Sequence, residues 1–260
     1  MTTHLVIGLG QIGTAIQTVL KENADNEVEG IDLRIPHTPN YAFYNFVHIC
    51  FPCADRDRFV QEVGRYCKRC GNENTVAIIH STVPLGTTRL IGDGAVHSPC
   101  RGIHPNLVPG LKTFTKYFGG DDGEATYKAA SEFAAVGIHV NVTDKAENTE
   151  ALKLWDTTIF GVEIVLEKEI HAYCKKHKLD YDFVYWDARH DYNEGFEALG
   201  DPRFRQCCLD HMPGPIGGHC VVPNAKLLGT MWGDLIVKWQ RAAEQEAAGI
   251  VVPKEKQDEQ

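Results

Sequence analysis

Apolar positions at the start of the chain form a short solid run, His4-Leu5-Val6-Ile7, and then change to a helical period. Ile12, Ala15, Ile16, Val19 and Leu20 recur on one face. A run bounded by glycine predicts a buried strand, and the period after it predicts a helix. Residues 27–34 (EVEGIDLR) read as a second strand carrying Asp32. Residues 45–52 (NFVHICFP) read as a strand closed by proline, and 54–71 as an amphipathic helix with a glycine stop. Residues 75–82 (TVAIIHST) are a further strand ending in a polar pair. Strands alternating with helices predict an α/β fold with a parallel, doubly wound sheet. Ligands of such sheets sit at the carboxyl ends of the strands, here at Pro52, Ser81 and Thr82.

The second half has a different pattern. From 144 to 176 no proline interrupts the chain, and Asp144 with Glu147 forms a capping box at its start. A helix there would be about 50 Å long at 1.5 Å per residue, a spine joining two domains. Residues 180–199 predict an aromatic-rich helix, suited to a dimer face or a substrate wall. Residues 233–248 predict a polar amphipathic helix. The organisation expected is a dinucleotide-binding domain over 1–143, a mainly α-helical substrate and dimerisation domain over 144–250, and a disordered tail over 251–260.

Between the first strand and the first helix lies Gly8-x-Gly10-x-x-Gly13. Alone, this spacing is also that of a glycine-rich turn. Here strand, glycines, helix and acid follow within about 30 residues, which a dinucleotide-binding Rossmann fold demands. Gly8 permits the turn, Gly10 lets the backbone approach the phosphates, and Gly13 lets helix and strand pack closely. Gln11 and Ile12 open the helix, whose N-terminal dipole attracts the pyrophosphate. Asp32 falls where an acid binds the adenosine ribose diol and points to NAD, since a carboxylate repels a 2′-phosphate. Arg34, two residues on, leaves NADP open; its alternative is a solvated surface charge.

Composition narrows the setting. The 260 residues are 43% hydrophobic and 23% charged, an ordinary globular balance. A net charge of −9 with no basic run argues against nucleic-acid or anionic-lipid partners. No stretch approaches the apolar length of a membrane span, residues 1–30 lack a signal-peptide pattern, and nine cysteines suit a reducing compartment. A cytoplasmic protein without membrane partners is expected. Cys50-x-x-Cys53 and Cys67-x-x-Cys70 have zinc-like spacing. The intervening residues read mostly as helix and separate the pairs by roughly 20 Å, so no metal is expected. The twelve histidines show no HExxH spacing.

The loop GPIGGHC (214–220) places Cys220 among glycines and beside His219, just before a helix whose first turn holds Pro223. That position favours a thiolate. Lys153 and Thr157, four apart, share a helix face with Ala146, Glu150 and Gly161. Spacing alone reads Lys153 as a solvated lysine. HSPCRGIHPN (97–106) adds Arg101 and His104, suited to an anionic substrate or to local loop hydrogen bonds.

Three segments resemble the UDP-glucose/GDP-mannose (nucleotide-sugar) dehydrogenase family. HSTVPLGTT (80–88) resembles its STVxPGTT stretch, EALKLWDTT (150–158) its E-x-x-K-x-x-x-N helix, and GPIGGHCVVPN (214–224) its cysteine loop. The resemblance runs over about residues 4–230, and the cysteine loop is its most specific part. It implies a Rossmann domain followed by a helical domain on a long helix, and a four-electron oxidation of a primary alcohol by two NAD, through an aldehyde held as a thiohemiacetal and a thioester that water hydrolyses to the acid. It implies Cys220 as nucleophile with Gly218 and His219 at the substrate, Lys153 as the cation beside the developing oxyanion, and Thr82 near the nicotinamide. The short chain implies a member lacking the C-terminal nucleotide-binding domain, and the expected partners are a small-molecule substrate and a second copy in a homodimer.

Departures are specific. The family's asparagine is Thr157 here, its aspartate is Asn224, which cannot ionise, and its S/N-P-E-F glutamate falls at Cys100. Two further readings therefore stand beside the first. One is a two-electron enzyme similar to the 3-hydroxyacid and 6-phosphogluconate dehydrogenases, which share the long helix and its lysine. The other is a cofactor-binding regulator or subunit without activity.

Overall fold

In the computed structural model, residues 1–32, 39–102 and 105–249 are described. The opening run forms β1 (Thr2–Ile7), and the period after it forms α1 (Gln11–Leu20). This helix buries Gly13, Ala15, Ile16, Val19 and Leu20, the face its spacing predicts. β2 (Asn26–Ile31), β3 (Phe46–Ile49), α2 (Arg56–Cys70) and β4 (Val76–Ile79) follow. Asp55 caps α2 by accepting the Arg58 N–H at 2.8 Å, a bond that contributes about 1 kcal/mol. The strands end earlier than their apolar patterns suggest. Asp32, Pro52, Ser81 and Thr82 therefore lie just beyond the strand ends, where ligands of such sheets bind.

Next come α3 (Thr87–Ile91), β5 (Ala95–His97), α4 (Leu107–Thr113), β6 (Lys116–Gly120), α5 (Gly123–Ala135) and β7 (Val140–Thr143). The strands β5 and β6 escape the sequence pattern because one is three residues long and the other joins a lysine to two glycines. The seven strands lie in the order β2-β1-β3-β4-β5-β6-β7. Every pairing is parallel except β5 with β6.

Both faces of the sheet are covered. Val6 faces a core with Ile16, Leu20, Phe118 and Phe133. Its neighbours Leu5 and Ile7 face the other core, with Phe59 and Val63 of α2. That alternation is the two-residue period of a strand. The fold is thus a Rossmann-type, mostly parallel α/β sheet followed by helices.

α6 (Ala146–His177) is the long helix, 32 residues without a break. The chain divides within it, into Met1–Lys153 and Leu154–Gln260. The first turns of α6 belong with the sheet because Thr149 bonds to His97 of β5, Glu150 to Thr88 of α3 and Lys153 to Cys100 O. In the second unit a π-helical turn (Asp182–Asp187) runs into α7 (Ala188–Ala198), followed by α8 (Val221–Leu228) and α9 (Met231–Ala247). The unit's core joins Val165, Ile216, Val221, Ala225 and Ile236. Gly161 makes this packing possible: a Cβ there would lie 2.6 Å from Val221 and 2.7 Å from Ile236. Among the described residues, no helix is long and apolar enough to cross a membrane.

Candidate active site

The glycine loop sits at the gap between β1 and β3, where the chain reverses its direction of travel across the sheet. In doubly wound sheets this switch point is where ligands bind. Gly8 turns at φ +94°, and a Cβ there would lie 3.1 Å from the Cys50 carbonyl carbon. At Gly13 a Cβ would lie 1.9 Å from Gly8 O, so α1 starts as close to the strand as backbone allows. At Gly10, the N-cap of α1, nothing lies within 4 Å of the missing side chain. Gln11 is exposed and Ile12 half-buried. Asp32 accepts the Leu9 N–H at 3.2 Å, which ties the acid at the end of β2 to this loop. A cleft of about 470 Å³ runs beside Gly10, Gln11 and Thr14, with Pro105 to Pro109 as its other wall.

Around the ends of β3 and β4, Pro52 is exposed and Thr82 half-buried. The Ser81 hydroxyl donates to Phe51 O at 2.6 Å and so holds the end of β3. The two family-like segments of this unit meet at Glu150. Its buried carboxylate accepts the Gly86 N–H at 2.5 Å, the Thr88 N–H at 2.8 Å and the Thr88 hydroxyl at 2.7 Å. Burial raises its pKa above the ordinary carboxylate value, against the pull of these bonds. One turn on, Lys153 Nζ donates to Cys100 O at 2.9 Å. Lys116 Nζ lies 3.9 Å from the sulfur of the same Cys100, which is buried. Arg101 packs over the Phe114 ring at 5.7 Å. Arg34 and His104 lie outside the described residues, as does the 251–260 tail.

In the second unit, two of the positions that depart from the family pattern meet. Asn224, only 6% exposed, donates from Nδ2 to Thr157 Oγ1 at 3.2 Å. Cys220 is half-buried and caps α8, and its carbonyl accepts the Asn224 N–H at 3.0 Å. Gly218 turns at φ +81°, and Gly217, Gly218 and His219 are exposed. The approach to this loop is pinned by three residues that spacing did not single out. Glu167 accepts from His211 Nδ1 at 2.8 Å, and Lys168 donates to Met212 O and, at 2.8 Å, to Gly214 O. Gln240 closes the set, accepting the Ile216 N–H at 2.8 Å and donating to Ile216 O. For Glu167 and Lys168, charged residues on the buried face of α6 were the available signal.

No protein-family model matches this chain, and no curated protein sequence matches it. Solved structures do. A UDP-D-ManNAc dehydrogenase from Pyrococcus horikoshii is 18% identical at a TM-score of 0.75, covering 95% of this chain and 70% of its own. Mycobacterium tuberculosis 3-hydroxyisobutyrate dehydrogenase, solved with L-serine, is 17% identical at 0.66, covering 95% of each chain. A UDP-glucose dehydrogenase from Pyrobaculum islandicum is 16% identical at 0.67, covering 96% of this chain and 72% of its own. The likeness is one of fold.

Cys50 and Cys53 lie in the connection between β3 and α2, and Cys67 and Cys70 in the last turns of α2, with the helix between the pairs. Among the described residues, no three His, Cys, Asp or Glu side chains converge as metal ligands. Burial pushes the Cys53 and Cys67 thiols up to about 11, which keeps them protonated near neutrality. A hollow of about 810 Å³ in the second unit lies between α6 and α7, lined by Tyr173, Tyr185, Arg189 and Tyr192. It is larger than the cleft at Gly10, and no glycine loop lines it.

Proposed function

We propose that this protein is an NAD-dependent dehydrogenase that oxidises an alcohol group of a small anionic or sugar-like substrate. The observation that supports it best is the loop Gly8–Gly13 at the β1/β3 gap. Gly13 has no room for a side chain, Gly10 opens onto empty space, and Asp32 is tied alongside. These residues fit a dinucleotide: α1 presents its N-terminus to the pyrophosphate, and the Asp32 carboxylate pairs with a ribose diol and repels a 2′-phosphate. When bound, NAD supplies the hydride acceptor.

The chain's own residues do the rest. Lys153 offers a cation that stabilises an alcohol oxygen as its proton leaves. Arg101 attracts an anionic substrate group. Cys220 is the nucleophile available to an aldehyde product: its sulfur adds to the carbonyl carbon, and the carbonyl oxygen takes a proton as a thiohemiacetal forms. The partners of this reading are a small-molecule substrate and a second copy of the chain in a homodimer.

A two-electron reaction is the favoured form. Asn224 bonds to Thr157 and carries no ionisable group, so that position supplies no base for thioester hydrolysis. The likeness to 3-hydroxyisobutyrate dehydrogenase over 95% of each chain supports the same form.

The test supplies NAD with a panel of 3-hydroxyacids and a panel of nucleotide sugars, and counts NADH per alcohol consumed. One NADH per alcohol, kept in Cys220→Ser, supports the two-electron reaction. Two per alcohol, lost in Cys220→Ser, replace it with the four-electron route. NAD binding without turnover of either panel leaves a cofactor-binding regulator, and absence of NAD binding overturns the whole reading.

A further inference from the structure

Three histidines are buried in the sheet of the first unit and form one hydrogen-bonded row. His4 on β1, His48 on β3 and His80 just past β4 lie on neighbouring strands, at 0%, 0% and 1% exposure. His4 Nδ1 is 3.0 Å from His48 Nε2, and His48 Nδ1 is 3.0 Å from His80 Nε2. His80 Nδ1 then meets Ser98 O at 2.8 Å and Lys116 Nζ, on β6, at 3.2 Å. At the other end, His4 Nε2 is buried without a hydrogen bond and lies 3.3 Å from Glu132 Oε2 on α5. The Glu132 side chain is 20% exposed, so the row reaches solvent there. Through Lys116, its inner end reaches the sulfur of Cys100, whose carbonyl holds Lys153.

As packing alone, the row is a poor choice. Phe46 stacks on His4, and Phe133 sets its edge against His48 and His80, so apolar rings would suit these positions. Burial, with Lys116 and the neighbouring rings, holds His48 and His80 well below the ordinary histidine value. Both rings are therefore neutral, with one N–H each. Burial also lowers Lys116, which loosens its hold on its proton.

Two proton arrangements fill the row. In one, Lys116 donates to His80 Nδ1, and each Nε2–H points onward, from His80 to His48, to His4, to Glu132. In the other, each proton sits on Nδ1: His80 donates to Ser98 O, His48 to His80, His4 to His48, and a protonated Glu132 donates to His4. The two differ by one proton passed from end to end.

We propose that the row is a proton relay between solvent at Glu132 and the buried Lys116 amine beside Cys100. In one passage an N–H bond of Lys116 breaks and one forms at His80 Nδ1. The Nε2 proton of His80 moves to His48 Nδ1, that of His48 to His4 Nδ1, and that of His4 to the Glu132 carboxylate, which releases it to water. Lys116 is left as an amine until the reverse passage, in which Glu132 takes a proton from water and each Nδ1 proton steps inward, restores the first arrangement. No electrons move. The charged and titratable neighbours of the row are Glu132, Lys116, His97, Cys50, Cys100 and Lys153. The relay stands on this unit's geometry and on no catalytic step.

The experiment uses the whole protein with nitrogen-15-labelled histidine and no substrate, followed by NMR in heavy water. His97 is the internal control, an equally buried imidazole held by Thr149 and Ser81 O outside the row. The relay expects His48 and His80 nitrogens averaged between their N–H and bare forms. It also expects their protons to exchange about tenfold faster than that of His97, a gain lost in Glu132→Gln. Fixed tautomers, exchange no faster than at His97, or indifference to Glu132→Gln overturns it. The resting measurement stands even if no alcohol is oxidised, so the two proposals fail separately.

Discussion

At Gly13 a methyl group would sit 1.9 Å from Gly8 O and 3.0 Å from Gly8 C, backbone atoms that cannot move aside. Gly13→Ala is expected to destabilise the protein by about 1–3 kcal/mol and to weaken NAD binding about tenfold, read by thermal melts and fluorescence titration. Gly10 has φ −72° and open space, so Gly10→Ala should fold with stability within about 0.5 kcal/mol of the parent. Its NAD affinity should still fall, because the methyl group occupies the phosphate approach. The Thr157–Asn224 contact is the other single-residue result. Sequence shows two separate departures from a family pattern, and the structure shows one hydrogen bond made of both.

Glu150 and Gly161 show how α6 works as an element. Helical spacing puts them on a common face, as expected for an uncrowded stripe, but their duties differ. Glu150 holds the Gly86–Thr88 turn, more than sixty residues earlier in the chain, and no spacing rule reaches that far. Glu150→Ala leaves the buried Thr88 N–H and the half-buried Gly86 N–H without their acceptor and should cost about 1–3 kcal/mol in all, measured by urea unfolding. Gly161 lets α8 and α9 approach α6, and Gly161→Leu should cost about 1–3 kcal/mol by the same measurement. The aromatic segment after α6 is helical as its pattern predicts, with a π-helical turn at Asp182–Asp187 that local periodicity does not encode.

For the whole molecule, the buried histidines set a pH dependence. Burial pushes His97 down to about 3 and holds His48 and His80 well below their ordinary 6.5. Below that value the unfolded chain takes up protons that the folded protein refuses. Their contribution to stability is therefore complete above about pH 6.5 and is lost as pH falls toward the folded values. Three such groups give a slope of up to about 4 kcal/mol per pH unit. Glu150, held above the ordinary carboxylate value, opposes the trend near pH 4.5. Urea unfolding should show a clearly lower midpoint at about pH 5.5 than at about pH 7.5, and an unchanged midpoint would mean that these rings are charged in the folded protein.

By itself, the sequence determined β1, the glycine loop, α1 and Asp32, and the length of α6. Each is written in local spacing: a strand's solid run, three glycines at set intervals, a 3.6-residue period without proline. The tertiary structure alone decided what those elements bring together. The histidine row takes one residue from each of three strand runs, at positions 4, 48 and 80, where each looks like an isolated polar residue in an apolar stretch. β5 and β6 became strands only by pairing, since three residues and a glycine-rich five carry too little alternation to show. Hydrogen bonds between distant segments depend on strand order and register, which arise when the whole sheet assembles and leave no periodic trace along the chain.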